Sequence, residues 1–401
     1  LEQTASMTDK YQFSSWINGL VEVLLYALPI SFLFGWSYAS SICVSIFGLY
    51  LISILVERRS PRFDSPMSLP VVLFLLAVFI PSVALIGPAD TWREGKHILY
   101  AVGVFFIFID WIGYRPVILR RYLFLLTGLL VFLSLDSFYQ FYHGKDILRV
   151  GLTDGRSTSV FTNPNYLCFF ISGAVPLPVF FLHEAKKAWI KIVYFAVLLC
   201  SFATLMLAGA KSGFVALAVF FILYLARKER ESIWFFLSFG LGMLLPYFYD
   251  PIGIKGRFTA FFHHGDDRLG IWKQTLSHLI RQDFLWGKGL DTFKDLYSPV
   301  RINEIFYSFP HNFFLEIWQT SGILALLLFI YIIFKVVFLN ITHLRQERIC
   351  TYLFISTVML FLTSVVSIPL FSKYVSFYFW LYFGLLTGAM KIHNSEGMAK
   401  E

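Results

Sequence analysis

Apolar residues along this chain run in long continuous stretches instead of alternating with polar ones. Windows of roughly twenty apolar residues, enough for a helix to cross a bilayer, predict about twelve spans. They fall near 17–35, 37–55, 69–87, 97–113, 122–140, 164–183, 190–208, 213–227, 232–249, 313–339, 349–368 and 375–391. Only a tight turn at Gly35–Ser37 separates the first two. Continuous runs argue against a barrel, whose strands alternate apolar and polar positions. The expected fold is an all-α polytopic membrane protein. Its parts are an N-terminal tail at 1–16, spans over 17–249, one large polar loop at 250–312, further spans over 313–391, and a C-terminal tail at 392–401.

Composition agrees. The chain has 401 residues, of which 57% are hydrophobic and only 14% charged, too few for the surface of a soluble protein this long. Aromatics reach 19%, which suits rings gathered at membrane boundaries. Cys43, Cys168, Cys200 and Cys350 all lie in apolar runs without metal-ligand spacing, so packing is their expected role. No cleavable signal peptide is expected, because the first apolar run is long enough to span and another follows at once.

The net charge of +8 calls for topology before nucleic acid, and no nucleic-acid partner is expected. Alternate loops carry Arg58, Arg59 and Arg62; Arg115, Arg120 and Arg121; Lys186, Lys187 and Lys191; Arg227, Lys228 and Arg230; Arg345 and Arg348. The loops between them carry far less: Arg93 and Lys96, then Lys211, then Lys373. The positive-inside rule puts the first group, and both termini, in the cytoplasm. Two larger segments, 141–163 and 250–312, then fall on the outer side. Within the second, "GDDRLGIWKQTLSHLIRQDFLWGKGL" predicts a helix capped by Asp266 or Asp267, with Leu269, Trp272, Leu276 and Ile280 at helical spacing. Such a helix lies along the membrane surface or packs over the bundle. "WGKG" ends it in a tight turn.

Nucleotide-binding loops and HExxH are absent from the sequence, and no carboxylate cage suggests a metal. The outer side offers cations instead. Lys211, in "LAGAKSGFVAL", stands between two apolar runs. It reads either as a snorkelling lysine or as an anion ligand beside a helix start, with Gly213 permitting close approach of a backbone or a phosphate. Arg268 opens the loop helix, as a surface partner of the neighbouring aspartates or as a phosphate clamp. His311, in "SFPHNFFLEIWQTSG", follows Pro310 at a helix start, a place that favours the neutral imidazole a base needs. Glu316 could orient a partner or pair with a cation, and salt-bridging is the simpler role. In "GRSTSVFTNPNYLCFF", Asn165 is the expected helix cap and Arg156 a further anion contact.

Four ordered features now carry a resemblance: "FTNPNYL" before a span, "GAKSG" between two spans, "DRLGIWKQTL…DFLWGKGLDTF" in the large loop, and "HNFFLEIWQTSG" entering the next span. In this order they resemble the O-antigen ligase and polymerase superfamily, most clearly over about 150–325. The resemblance implies a metal-independent, cofactor-free glycosyltransferase of the bacterial inner membrane with a periplasmic site. Its donor would be an undecaprenyl-diphosphate-linked glycan, its acceptor a lipid A–core sugar hydroxyl, and membrane lipids its surroundings. Arg268 and His311 match the family pattern. Where the family carries a small polar residue and Arg, this chain has Ala210 and Lys211, which keeps the charge but loses the guanidinium fork. The smaller outer loop is short, and no glycine stands eleven residues on from Arg149, Arg156, Arg257, Arg268 or Arg281, unlike the Arg-led repeats described for polymerases. A ligase is therefore expected ahead of a polymerase or a protein O-oligosaccharyltransferase. A transporter or flippase is the rival of another class; it predicts ionisable groups near mid-membrane, whereas Asp110 and Asp136 lie near helix ends.

Overall fold

The computed structural model describes residues 2–226, 232–249, 268–293, 301–302, 305–306, 309–343, 347–365 and 367–398. Five long helices come first: α1 (Glu2–Ser31), α2 (Trp36–Glu57), α3 (Ser68–Ile86), α4 (Pro88–Tyr114) and α5 (Val117–His143). A connected pair, α6 (Pro164–Ala174) and α7 (Pro176–Glu184), precedes α8 (Ala188–Ala208), α9 (Lys211–Ala226) and α10 (Ser232–Tyr249). The loop helix α11 (Arg268–Arg281) is followed by a short antiparallel pair, β1 (Arg301–Ile302) and β2 (Ile305–Phe306). The chain then continues through α12 (Phe313–His343), α13 (Arg348–Val365) and α14 (Lys373–Met398). Among the described residues ten helices are long and apolar enough to cross a membrane, and Lys211–Leu225 is a shorter apolar one. The protein is an all-α polytopic membrane protein, and each predicted apolar window overlaps a helix. Helix also runs into the segments expected as tails, starting at Glu2 and ending at Met398. Leaving the bilayer does not unwind a helix, because its backbone bonds are internal.

Two spans are broken. Pro176 and Pro178 lack N–H groups for the carbonyls one turn back, so 164–183 forms α6 and α7 instead of one rod. Within α12, Gly322 leaves the helical region at φ 81° and ψ 177°. The turn after α11 docks against this break. Lys288 N–H donates to Gln319 O at 2.7 Å, Gly289 N–H to Thr320 O at 2.9 Å, and Ile323 N–H to Phe284 O at 3.1 Å. A Cβ on Gly322 would stand 1.8 Å from Leu285 O, so only glycine admits both the positive φ and this approach.

The Arg-rich loops meet at one end of the bundle. Arg59 Nη1 donates to Asp110 Oδ2 at 2.6 Å, Arg115 pairs with Glu22, and Arg120 and Arg348 both reach Glu184. Lys391, near the end of α14, donates to Arg62 O and Asp64. Ser14 and Asn18 of α1 donate to Glu57 there. At the opposite end lie the α5–α6 segment, the α8–α9 turn, α11, the start of α12 and the α13–α14 turn.

Candidate functional site

A cavity of about 420 Å³ opens at this second end. Glu94 and His97 of α4 line it, with Thr162 and Tyr166 around the start of α6 and Asp291 beyond α11. Phe309 and Pro310 form the approach to α12; Glu316, Gln319 and Thr320 come from its first half. The α13–α14 turn and the start of α14 add Phe371, Ser372, Lys373 and Tyr374. Aromatic rings beside carboxylates, amides and hydroxyls suit a sugar, which offers both C–H faces and hydroxyl groups.

His311 follows directly on Phe309 and Pro310. Its φ of 51° is left-handed, a conformation that costs a non-glycine residue on the order of 1 kcal/mol and persists only where its surroundings hold it. Three contacts do so. Trp272 Nε1 of α11 donates to Pro310 O at 3.1 Å. Phe309 packs against the imidazole at 4.1 Å between centroids. His311 Nδ1 lies 3.2 Å from Ser367 O. Asn312, next in the chain, caps α12: its Oδ1 accepts from Phe314 N–H and Leu315 N–H at 3.0 and 3.2 Å. The histidine thus sits two residues ahead of the helix, outside its first turn.

Arg268 lies four residues before Trp272 on α11, hence on the same face as the residue that reaches Pro310. Its expected neighbours Asp266 and Asp267 lie outside the described residues, as do Arg257, Arg345 and the 227–230 cationic cluster. The loop helix turns a different face to the protein than its spacing suggests. Ile271, Thr275 and Leu279 are buried, while Leu269 and Ile280 stay 65% and 55% exposed. Two apolar stripes run along α11, one against the bundle and one outward. The outward stripe leads on to exposed Leu285 and Trp286 at the Gly322 break, and from there to exposed Leu324 and Leu327 on α12.

A backbone bond links the segment that carries Arg156 to the end of the helix before Lys211. Ser157 N–H donates to Leu207 O at 3.0 Å, which ties the segment carrying Arg156 to the end of α8 just before Lys211. Arg156 also pairs with Asp154 at 3.6 Å. Gln140 holds that segment from α5: its Oε1 accepts from Thr158 and Ser159 N–H, both at 2.8 Å, and from Ser157 Oγ at 2.7 Å. Lys211 begins α9 after Gly209, whose left-handed backbone closes α8. Cys168 of α6, two residues beyond cavity-lining Tyr166, links this cationic corner to the cavity, because a Cβ on Gly213 would lie 2.2 Å from Cys168 Sγ. That contact sharpens one expectation: the missing side chain of Gly213 admits the close approach of α6.

Two further expectations change. Asn163, not Asn165, caps α6; its side chain accepts from Asn165 N–H at 2.8 Å. Pro164 decides this, since the residue before a proline is driven to the extended conformation a cap adopts, and proline suits the first helical position. Among the described residues Glu316 has backbone partners instead of the expected salt bridge. It is buried, and its carboxylate accepts from Leu370 N–H at 2.6 Å and Phe371 N–H at 3.3 Å. Glu94, His97 and Tyr374 were not singled out from sequence at all. His97, whose Nε2 lies 2.5 Å from Phe371 O, had one usable signal: a titratable residue entering an apolar span.

The fold and site define a multi-pass helical membrane protein with a polar, aromatic-lined cavity at the end opposite its cationic loops. Residues 195–330, roughly a third of the chain, match the family model for O-antigen ligase. The match is consistent with a member of the O-antigen ligase superfamily. No curated protein matches the chain.

Proposed function

We propose that this protein transfers O-antigen glycan from undecaprenyl diphosphate to a sugar hydroxyl of lipid A–core, at the periplasmic face of the bacterial inner membrane. The observation that carries the reading is the placement of His311. It is held in a strained backbone conformation beside a sugar-sized cavity, at the end of the bundle opposite the Arg-rich loops. In the reaction, the acceptor hydroxyl oxygen attacks the anomeric carbon and His311 takes its proton. The bond from that carbon to the diphosphate oxygen breaks, and its electron pair leaves with undecaprenyl diphosphate. Arg268, Lys211 and Arg156 bind the diphosphate and stabilise the departing charge. A single displacement inverts the anomeric configuration. The diphosphate bond supplies the driving force.

The test is expression of His311→Ala in a ligase-null strain, with lipopolysaccharide read by gel. Loss of O-antigen capping at normal protein level is expected, a fall on the order of 10²- to 10⁴-fold. Normal capping would remove His311 from the chemistry. Offering purified protein either lipid A–core or a second carrier-linked glycan separates a ligase from a polymerase by the acceptor consumed.

A further inference from the structure

We infer that Glu316 is a positioning residue for His311, acting through the backbone turn between α13 and α14; this rests on the reading of His311 as the base. Ser367 O is a carbonyl oxygen and can only accept, so the 3.2 Å contact requires the proton on His311 Nδ1. In the neutral ring the lone pair then belongs to Nε2, the nitrogen that would receive the acceptor proton. The base is competent only in this tautomer, and the tautomer depends on where Ser367 O stands.

That oxygen belongs to the turn Ser367–Ser372, which carries the bonds that fix it. Leu370 and Phe371 direct their N–H groups inward to the two oxygens of Glu316, at 2.6 and 3.3 Å. His97 Nε2 on α4 meets Phe371 O from the other side. Ser372 N–H closes the turn on Pro369 O at 3.2 Å. A carboxylate suits position 316 because two converging N–H donors need two acceptors. Glutamine offers one acceptor oxygen and would turn its NH₂ against the second donor. Glu316 and His311 thus meet through one turn, although they are five residues apart on the α12 side and neither contacts the other in any bond described above. The arrangement is a base, a carbonyl that sets its tautomer, and a carboxylate that sets the carbonyl.

The test uses full-length protein in detergent, with undecaprenyl-diphosphate-linked O-antigen extracted from ligase-null cells as donor and O-antigen-free lipopolysaccharide as acceptor. Glu316→Gln is expected to lower kcat by at least about ten-fold, towards the order of 10²-fold that a misplacement near 1 Å costs, with the donor KM unchanged. In protein labelled with ¹⁵N-histidine, the His311 signals are assigned by their loss in His311→Ala. The parent protein is expected to show Nδ1 protonated, and Glu316→Gln a mixture of tautomers. An unchanged kcat in Glu316→Gln overturns the inference, and so does a lowered kcat with an unchanged His311 tautomer, which would mark a purely structural role. Transfer that persists in His311→Ala is a different failure: it removes the base itself, while the histidine spectra still report whether Glu316 sets the ring.

Discussion

Both ends of the bundle hold charged residues, and they use them differently. At the Arg-rich end, cations meet carboxylates. Asp110 is fully buried and accepts from Arg59 Nη1, Tyr50 OH and Arg62 N–H at 2.6, 2.8 and 2.6 Å. The Arg59 guanidinium also lies over the rings of Tyr50, Trp111 and Tyr114. Such a cluster joins helices and leaves little for a ligand to bind. At the other end, the carboxylate of Glu316 is occupied by backbone N–H groups, and carboxylates, His97 and Lys373 face a cavity. Charge saturated in a buried cluster builds structure, whereas polar groups that line open space can meet a ligand.

The sharpest way to break this contrast is Asp110→Ala. It leaves a largely buried Arg59 short of its main partner and is expected to cost about 3–5 kcal/mol of stability, while the protein that still folds keeps its specific activity. Thermal unfolding in detergent, set beside transfer per folded molecule, checks both halves. Loss of specific activity without loss of stability would make the Arg-rich end functional. His311→Ala should show the reverse pattern.

Gly322→Ala comes next. It forces a Cβ onto Leu285 O at a positive φ and is expected to destabilise by about 2–3 kcal/mol, undocking the α11 turn from α12. Faster limited proteolysis between α11 and α12 would report the undocking; unchanged proteolysis would mean that the break in α12 does not depend on glycine.

Arg268→Lys should lower transfer by about ten-fold, because a lysine keeps the charge without the fork. Arg348→Lys at the other end should stay within about two-fold, since its contact with Glu184 is a long surface pair at 3.9 Å. Equal effects would erase the distinction between the ends.

Smallest is the pair of Asp64 and Lys391. The bonded ammonium holds the Asp64 carboxyl below its usual range. The folded state thus binds the proton less readily than the unfolded one, so this contribution is complete above the ordinary carboxylate value and is lost as the pH falls through the lower folded one. Asp64 is mostly exposed, and Asp64→Asn should cost under about 1 kcal/mol at neutral pH. A larger loss in thermal unfolding would show that the pair latches α14 to the α2–α3 loop.

Much of the fold was legible because the bilayer imposes a length. A helix that crosses it needs an apolar run, and the runs at 69–87 and 190–208 match α3 and α8 closely. The breaks were harder to read. Pro176 and Pro178 announce theirs in sequence, but Gly322, after Gln319, Thr320 and Ser321, shows no break until Leu285 O is seen against it. In the site, His311 and Arg268 stood out as polar groups at helix starts. Glu316 was assigned a charged partner because carboxylates usually have one, and the turn that binds it lies more than fifty residues away along the chain.

Sequence by itself determined the class of fold, the end at which cations gather, and the four segments that carry the family pattern, since each follows from local composition and order. Only the tertiary structure decided that Gly213 admits a helix, that Asn163 caps α6, that α11 shows one apolar stripe outward, and that Glu316 and His311 hold the same turn. These depend on which backbone atoms approach from distant parts of the chain, and a hydrogen bond or a van der Waals contact is set by distances of a few ångströms that local sequence does not encode.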